Sequence, residues 1–159
     1  MTEPLLRSDF GFFNRLRVRY SDIDGQMVVY NAHYLRFFDG GTVEYMRHLG
    51  VPLVPDDAFP WDFHIAHSEV DYRRPIQFDE IIDVGVRTER MGRSSWTLQY
   101  GIFGEDNDTL YAEGRMVAVA FDSRTAGETK QSTPMPDWLK TKAETWEAEL
   151  RDEPKVIIL

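Results

Sequence analysis

YSDIDGQMVVYNAHYLRFFDGGTVEYMRHLG, residues 20–50, decides the fold of this chain. It opens as the end of a strand, passes through an acidic loop holding Asp22 and Asp24, and crosses an apolar run over residues 27–30. A long helical pattern then starts near Asn31. Two acids therefore stand a few residues upstream of a helix N-terminus. That end of a helix exposes unpaired backbone N–H groups and partial positive charge, which suit an oxyanion or a carbonyl oxygen. A carboxylate beside such an end is a minimal kit for acyl hydrolysis.

Within the helical pattern, Tyr34, Leu35, Phe38, Tyr45, Met46 and Leu49 recur on one side, and Gly50 with Pro52 beyond it marks the stop. Gly40 and Gly41 fall mid-helix, where each costs roughly 1 kcal/mol relative to alanine. The cost is tolerable if the helix backbone lies close against a sheet; a local kink is the alternative. Upstream, residues 12–20 alternate with period two. Leu16, Val18 and Tyr20 form the buried side of this strand, and Arg15, Arg17 and Arg19 a solvated one. Downstream, the three prolines of residues 51–62 mark an irregular connection. Four strands follow at about residues 64–72, 80–89, 94–103 and 109–122, with turns at 92–93 and 105–108. The run 116–121 is apolar enough to be covered on both faces. After a polar connection (122–133), Pro136 and Asp137 open a second helix with Trp138, Leu139, Ala143, Trp146 and Leu150 on its apolar side. Strand, long helix, four strands and a terminal helix make an α+β plan, an antiparallel sheet wrapped around the first helix. The expected organisation is a flexible N-terminus over residues 1–11, one domain over 12–151, and an apolar tail over 152–159 that either packs or frays.

Composition narrows the function. With 159 residues, 42% hydrophobic and 13% aromatic, the chain can fill one core. A formal net charge of -9 opposes nucleic-acid binding, which needs a basic surface. The absence of cysteine removes disulfides, thiolate nucleophiles and zinc–thiolate sites. His33, His48, His64 and His67 lack metal-ligand spacing, so no metal is expected. No apolar run approaches a membrane span and residues 1–9 lack a signal-peptide core, so the expected compartment is the cytoplasm.

The motif is more specific than the arrangement. RVRYSDID, VVYNAHYLRFFD and EYMRHLG, with DYRRP (71–75), GRSSWT (92–97) and AEGR (112–115), resemble hotdog-fold acyl-CoA thioesterases of the 4-hydroxybenzoyl-CoA thioesterase type. The likeness covers most of residues 13–138. It implies a hotdog fold and metal-free hydrolysis of an acyl-thioester by water, giving a carboxylic acid and a free thiol. No cofactor is implied beyond coenzyme A as part of the substrate. Carried over by residue, the catalytic aspartate falls on Asp24 and the amide that polarises the thioester carbonyl on the backbone N–H of Asn31. In this family the site forms between subunits, so a homodimer or homotetramer is expected, and an isolated sheet edge would need a partner in any case. The pattern departs from the family at two places. Met27 stands where relatives carry glycine, so that the loop either takes another path or narrows the acyl channel. Asn31 and His33 exchange the family's histidine and asparagine.

The resemblance places Asp22, Met27, Tyr30 and His33 near the substrate. It also places Arg73, Arg74, Arg90 and Arg93 at strand ends, where relatives receive the coenzyme A phosphates, with Ser94 and Ser95 after the Gly92-Arg93 turn as hydroxyl or backbone donors; arginine suits that task through forked, permanently charged donors. Each has a plainer reading. Asp22 orients the loop through backbone amides, His33 is a hydrogen-bonded residue of the first helical turn, and the arginines are ordinary surface charges. Glu44 is expected to pair with Arg47. Tyr30, Phe37, Phe38 and Trp61 either line an acyl pocket or fill the core. Two further functions stay open: binding of an acyl-thioester or aromatic ligand without turnover, and hydro-lyase chemistry, for which only His33 is placed. Aromatic, short-chain and medium-chain acyl groups are all compatible.

Overall fold

The computed structural model describes residues 3–125 and 131–158. Six strands form one sheet in the order β2-β5-β4-β3-β1-β6, where β1 is Phe12–Arg17, β2 Trp61–Tyr72, β3 Ile81–Met91, β4 Ser95–Gly104, β5 Leu110–Asp122 and β6 Lys155–Ile158. All neighbours are antiparallel except β1 and β6. The long helix α1, His33–Leu49, lies across one face, and α2, Asp137–Asp152, packs beside its C-terminal half. This is the hotdog arrangement, α+β in class.

Periodicity explains the packing. α1 buries Tyr34, Phe37, Phe38, Gly41, Tyr45 and Leu49 at helical spacing against Val84, Val86 and Tyr100 of the sheet, themselves fully buried. Phe38 stacks on Tyr100 with ring centroids 4.5 Å apart, and Tyr45 meets Phe12 edge-on at 5.5 Å. The two mid-helix glycines differ. A Cβ on Gly41 would come within 2.8 Å of Val86 Cγ2, so the helix backbone sits directly on β3; a Cβ on Gly40 would meet open space. Close packing thus accounts for one of the pair. Gly50 ends the helix at φ 81°, its N–H donating to the Arg47 carbonyl.

Several expectations change. α1 begins at His33 rather than Asn31, because residues 30–32 form a turn in which the His33 N–H donates to Tyr30 O at 2.8 Å. β1 ends at Arg17, and a 3₁₀ turn over Tyr20–Asp22 breaks the alternation, leaving Tyr20 76% exposed instead of buried. Arg15 does not face solvent alone: its Nε donates to Asp83 on β3 at 2.7 Å. Burial pushes the Asp83 carboxyl up, but hydrogen bonds from Arg15 and Arg7 outweigh it and hold the group below the ordinary carboxylate value. That Arg7 contact (2.6 Å), with Leu5 N–H donating to Glu113 at 2.9 Å, ties down part of the N-terminal stretch expected to be loose. The C-terminal stretch packs as β6, parallel to β1, with Lys155 N–H on Gly11 O at 2.8 Å. In β5, Val117 and Val119 are only half-buried, so the run 116–121 is not fully covered on both faces. The polar connection 122–133 lies partly outside the described residues.

Candidate active site

The acidic loop is a small hairpin. Tyr30 N–H donates to Asp22 O and Asp24 N–H to Val28 O, both at 2.9 Å, and Met27 N–H closes the turn onto Asp24 O at 3.0 Å. Val29 N–H reaches Ile76 O at 2.8 Å, fastening the hairpin to the segment between β2 and β3. The closing residue of such a three-residue turn adopts the left-handed conformation that favours glycine. Met27 occupies it, at φ 63°, while Gly25 stays out of that region. Met27, the residue that stands where the resemblance expects glycine, thus holds the left-handed position of this turn.

The two acids have different surroundings. Asp22 is 1% exposed; its carboxylate accepts from Arg19 N–H at 2.8 Å and from the Arg36 guanidinium. Its backbone oxygen accepts from Tyr30 N–H and contacts His33 Nδ1 at 3.0 Å, so the imidazole donates there in its Nδ1–H form. Asp22 thus joins the loop to the helix start. Asp24 is half-buried, and one of its carboxylate oxygens accepts from Gln26 N–H at 2.8 Å. Its second oxygen has no donor among the described residues.

The Asn31 N–H, expected as the first amide of the helix, lies instead in the turn one residue before the N-cap Ala32, and it has no acceptor among the described residues. The Asn31 carbonyl accepts from the Tyr72 hydroxyl at 3.0 Å, and Tyr72 meets Tyr34 edge-on at 4.9 Å. Burial raises the Tyr34 phenol above its ordinary pKa, and the charges of Asp24 and Glu80 add to this, so Tyr34 stays protonated beside Asp24. Tyr34 and Tyr72 were not among the expected site residues. Tyr72 precedes Arg73-Arg74-Pro75 at a strand end, a visible position, but only the pairing of β2 with β5 shows which way it points. Met27, Tyr30 and Tyr72 are exposed here, and Tyr20 and Phe78, also exposed, meet edge-on at 6.1 Å.

The fold gathers Asp22, Asp24, Met27, Tyr30, Asn31 and His33, but it splits the arginines. Arg73 follows Tyr72 and its Nε donates to Glu113 at 2.9 Å; Arg74 beside it is exposed. Arg93 and Ser94 sit at the far end of the sheet, where their carbonyls accept from Met135 N–H (2.9 Å) and Ala120 N–H (2.8 Å). Along β5, Ala112 faces Tyr72 and Val119 faces Ser95, a separation of about 23 Å at the strand rise. Phe37 and Phe38 are core, Trp61 is half-buried, and Glu44 pairs with Arg47 at 2.9 Å. Among the described residues no cluster of metal-ligating side chains occurs, and no helix is long and apolar enough to cross a membrane.

Known proteins agree with this architecture. The family model described as the thioesterase-like superfamily matches residues 18–143. The acyl-CoA thioester hydrolase YbgC of Escherichia coli is 27% identical over 107 residues, covering 67% of this chain and 79% of that protein. A 1,4-dihydroxy-2-naphthoyl-CoA hydrolase of Synechococcus elongatus is 25% identical over 133 residues, 80% of this chain and 93% of its own. Among solved structures, a protein of Pseudomonas aeruginosa superposes with a TM-score of 0.77 at 25% identity, over 96% of this chain and 98% of that one. A 1,4-dihydroxy-2-naphthoyl-CoA thioesterase from Synechocystis gives 0.73 at 16% identity, over 83% and 94%.

Proposed function

Since the chain belongs to the thioesterase-like superfamily, we propose that it hydrolyses acyl-CoA thioesters to a free acid and coenzyme A. The observation that carries this reading is the unpaired Asn31 N–H in the turn just ahead of α1, with the free oxygen of Asp24 in the hairpin that leads to it. The thioester oxygen rests against the Asn31 N–H and the positive end of α1. Asp24 takes a proton from a water that attacks the carbonyl carbon and passes it to the departing sulfur as the C–S bond breaks. Alternatively, Asp24 itself attacks, the thiolate leaves, and a water hydrolyses the mixed anhydride, its proton going to the sulfur. Acid, thiol and the free Asp24 carboxylate result in both cases. Losing one such donor raises a barrier by about 2.7–4 kcal/mol. Because the donor is a backbone group, asparagine in place of histidine does not remove it. Asp22 and His33 position the hairpin rather than touch the reacting atoms. The scheme calls for no metal and no further cofactor, and a cytoplasmic location goes with this reading.

The active unit in this reading is a dimer. If two β2 edges pair antiparallel, Arg93 and Ser94 of the partner subunit come to the Tyr72 end, three strand spacings or about 15 Å away. The split arginine set is thereby reunited along one extended ligand. The competing reading, acyl-thioester or aromatic-ligand binding without turnover, draws on Met27 and Asn31, the two departures from the family pattern. One experiment separates them: thiol release from a panel of acyl-CoAs by wild type and Asp24→Asn. The expected result is turnover by wild type and a loss in kcat of about 10²–10⁴-fold in the variant, with KM little changed. Binding without turnover in wild type supports the second reading, and undiminished Asp24→Asn activity removes Asp24 from the reaction.

A further inference from the structure

The turn that carries the Asn31 N–H is held by a residue of the sheet. It closes with His33 N–H on Tyr30 O at 2.8 Å, so Asn31 and Ala32 are its two central residues. The central peptide of such a turn, here the Asn31 carbonyl with the Ala32 N–H, takes no part in the closing bond. It rotates by about 180° between the two common turn forms. Ala32, at φ -70° and ψ -21°, marks the form in which both central residues keep negative φ. Neither the Asn31 N–H nor the Ala32 N–H has an acceptor among the described residues. A flip of the central peptide would exchange the sides of the Asn31 oxygen and the Ala32 N–H, putting an acceptor where a second donor stood. The flipped form asks for positive φ at Ala32, which already disfavours it. A second restraint comes from Tyr72. Its hydroxyl lies 3.0 Å from Asn31 O, and because a carbonyl only accepts, the hydroxyl donates. No other donor to Asn31 O occurs among the described residues.

We propose, resting on the hydrolase reading, that Tyr72 is a positioning residue: its hydroxyl holds the Asn31–Ala32 peptide so that the two free N–H groups face the thioester oxygen together. Tyr72 is itself anchored. It ends β2 opposite Ala112 of β5, and the N–H groups of Arg73 and Arg74 that follow both donate to Tyr111 O, at 2.8 and 3.0 Å. Its ring meets the buried Tyr34 edge-on, yet the residue is 54% exposed, so its hydroxyl rather than its packing is what it brings to the turn. Two carbonyls of the turn are then fixed, Tyr30 O by His33 N–H and Asn31 O by Tyr72, with the Asn31 N–H between them. A donor fixed before the substrate arrives needs no reorganisation when charge develops on the thioester oxygen. The benefit falls in the transition state and therefore on kcat.

The test compares the full chain as wild type and as Tyr72→Phe, which removes the hydroxyl and keeps the ring. Steady-state hydrolysis of the acyl-CoA that wild type turns over best is expected to show kcat lowered by about tenfold, the effect of one hydrogen bond, with KM little changed. The thermal midpoint is expected to stay where it is. In nitrogen–proton NMR spectra the Asn31 and Ala32 amides are expected to shift and to exchange faster with solvent, while the amides of α2 stay in place. Wild-type kcat in Tyr72→Phe overturns the proposal, and so does a loss of kcat without movement of the two amides. A raised KM at constant kcat overturns it by assigning Tyr72 to substrate binding, and a lowered thermal midpoint that tracks the loss of kcat overturns it by making Tyr72 a residue of general stability. A wild type that turns over no acyl-CoA is a different failure: it removes the hydrolase reading, and the positioning role falls with it whatever the amides do.

Discussion

At the scale of single residues, Met27 carries the clearest cost. Left-handed backbone on a residue with a side chain costs roughly 1–2 kcal/mol, and Met27 sits at φ 63° with its side chain 53% exposed. Little packing offsets that cost. Met27→Gly is therefore expected to raise stability by about 1 kcal/mol, after the extra unfolded-chain entropy of glycine, as read by denaturant unfolding. An unchanged or lowered midpoint would place the strain elsewhere. The sequence left two outcomes open at this position, a rerouted loop or an occupied channel mouth. Hydrogen bonds at Asp24, Val28 and Tyr30 make this loop a hairpin closed at both ends, with Met27 in its left-handed position. The motif singles out Asp24 and Asn31 as candidates. It does not single out Tyr34 and Tyr72, since aromatic residues at helix and strand ends read equally well as core.

At the scale of elements, the two glycines of α1 make a paired test. Gly40 faces open space and Gly41 faces Val84 and Val86. Gly40→Ala is expected to stabilise by about 1 kcal/mol through helix propensity alone. Gly41→Ala is expected to destabilise by about 1–3 kcal/mol, because its methyl would lift the helix from β3. Thermal unfolding of the two variants reads the difference, and equal shifts would mean that the helix does not rest on β3 through Gly41. Adjacent identical letters could not reveal this asymmetry. Period and punctuation placed β1 to β5 to within a few residues, since alternation against a buried face is a local signal. What stayed hidden depended on partners far along the chain. Arg15 alternates like a solvent-facing residue, yet its partner Asp83 arrives from β3. The short β6 has too few residues for a period and is a strand only because β1 offers it an edge.

At the scale of the whole molecule, the sheet ends unequally. β6 is four residues long, whereas β2 is twelve, and residues 64–69 of β2 are exposed, including Ile65 at 51%. A long open edge of this kind invites strand pairing. Light scattering is expected to give twice the 18.5 kDa chain mass, or a multiple of it. Ile65→Arg, which sets like charges near the two-fold axis, is expected to yield monomers with thioester hydrolysis reduced by about tenfold or more, as the partner's phosphate contacts are lost. A monomeric wild type with full activity would refute the shared site. The other edge carries a lesson about time. Phe12 pairs with Lys155, nearly the whole chain away. During synthesis β1 must therefore keep its outer rim bare until almost everything else has emerged. The seam joining β1 to β6 is among the last that a nascent chain can close, and quality control would meet the protein there with its sheet still unfinished.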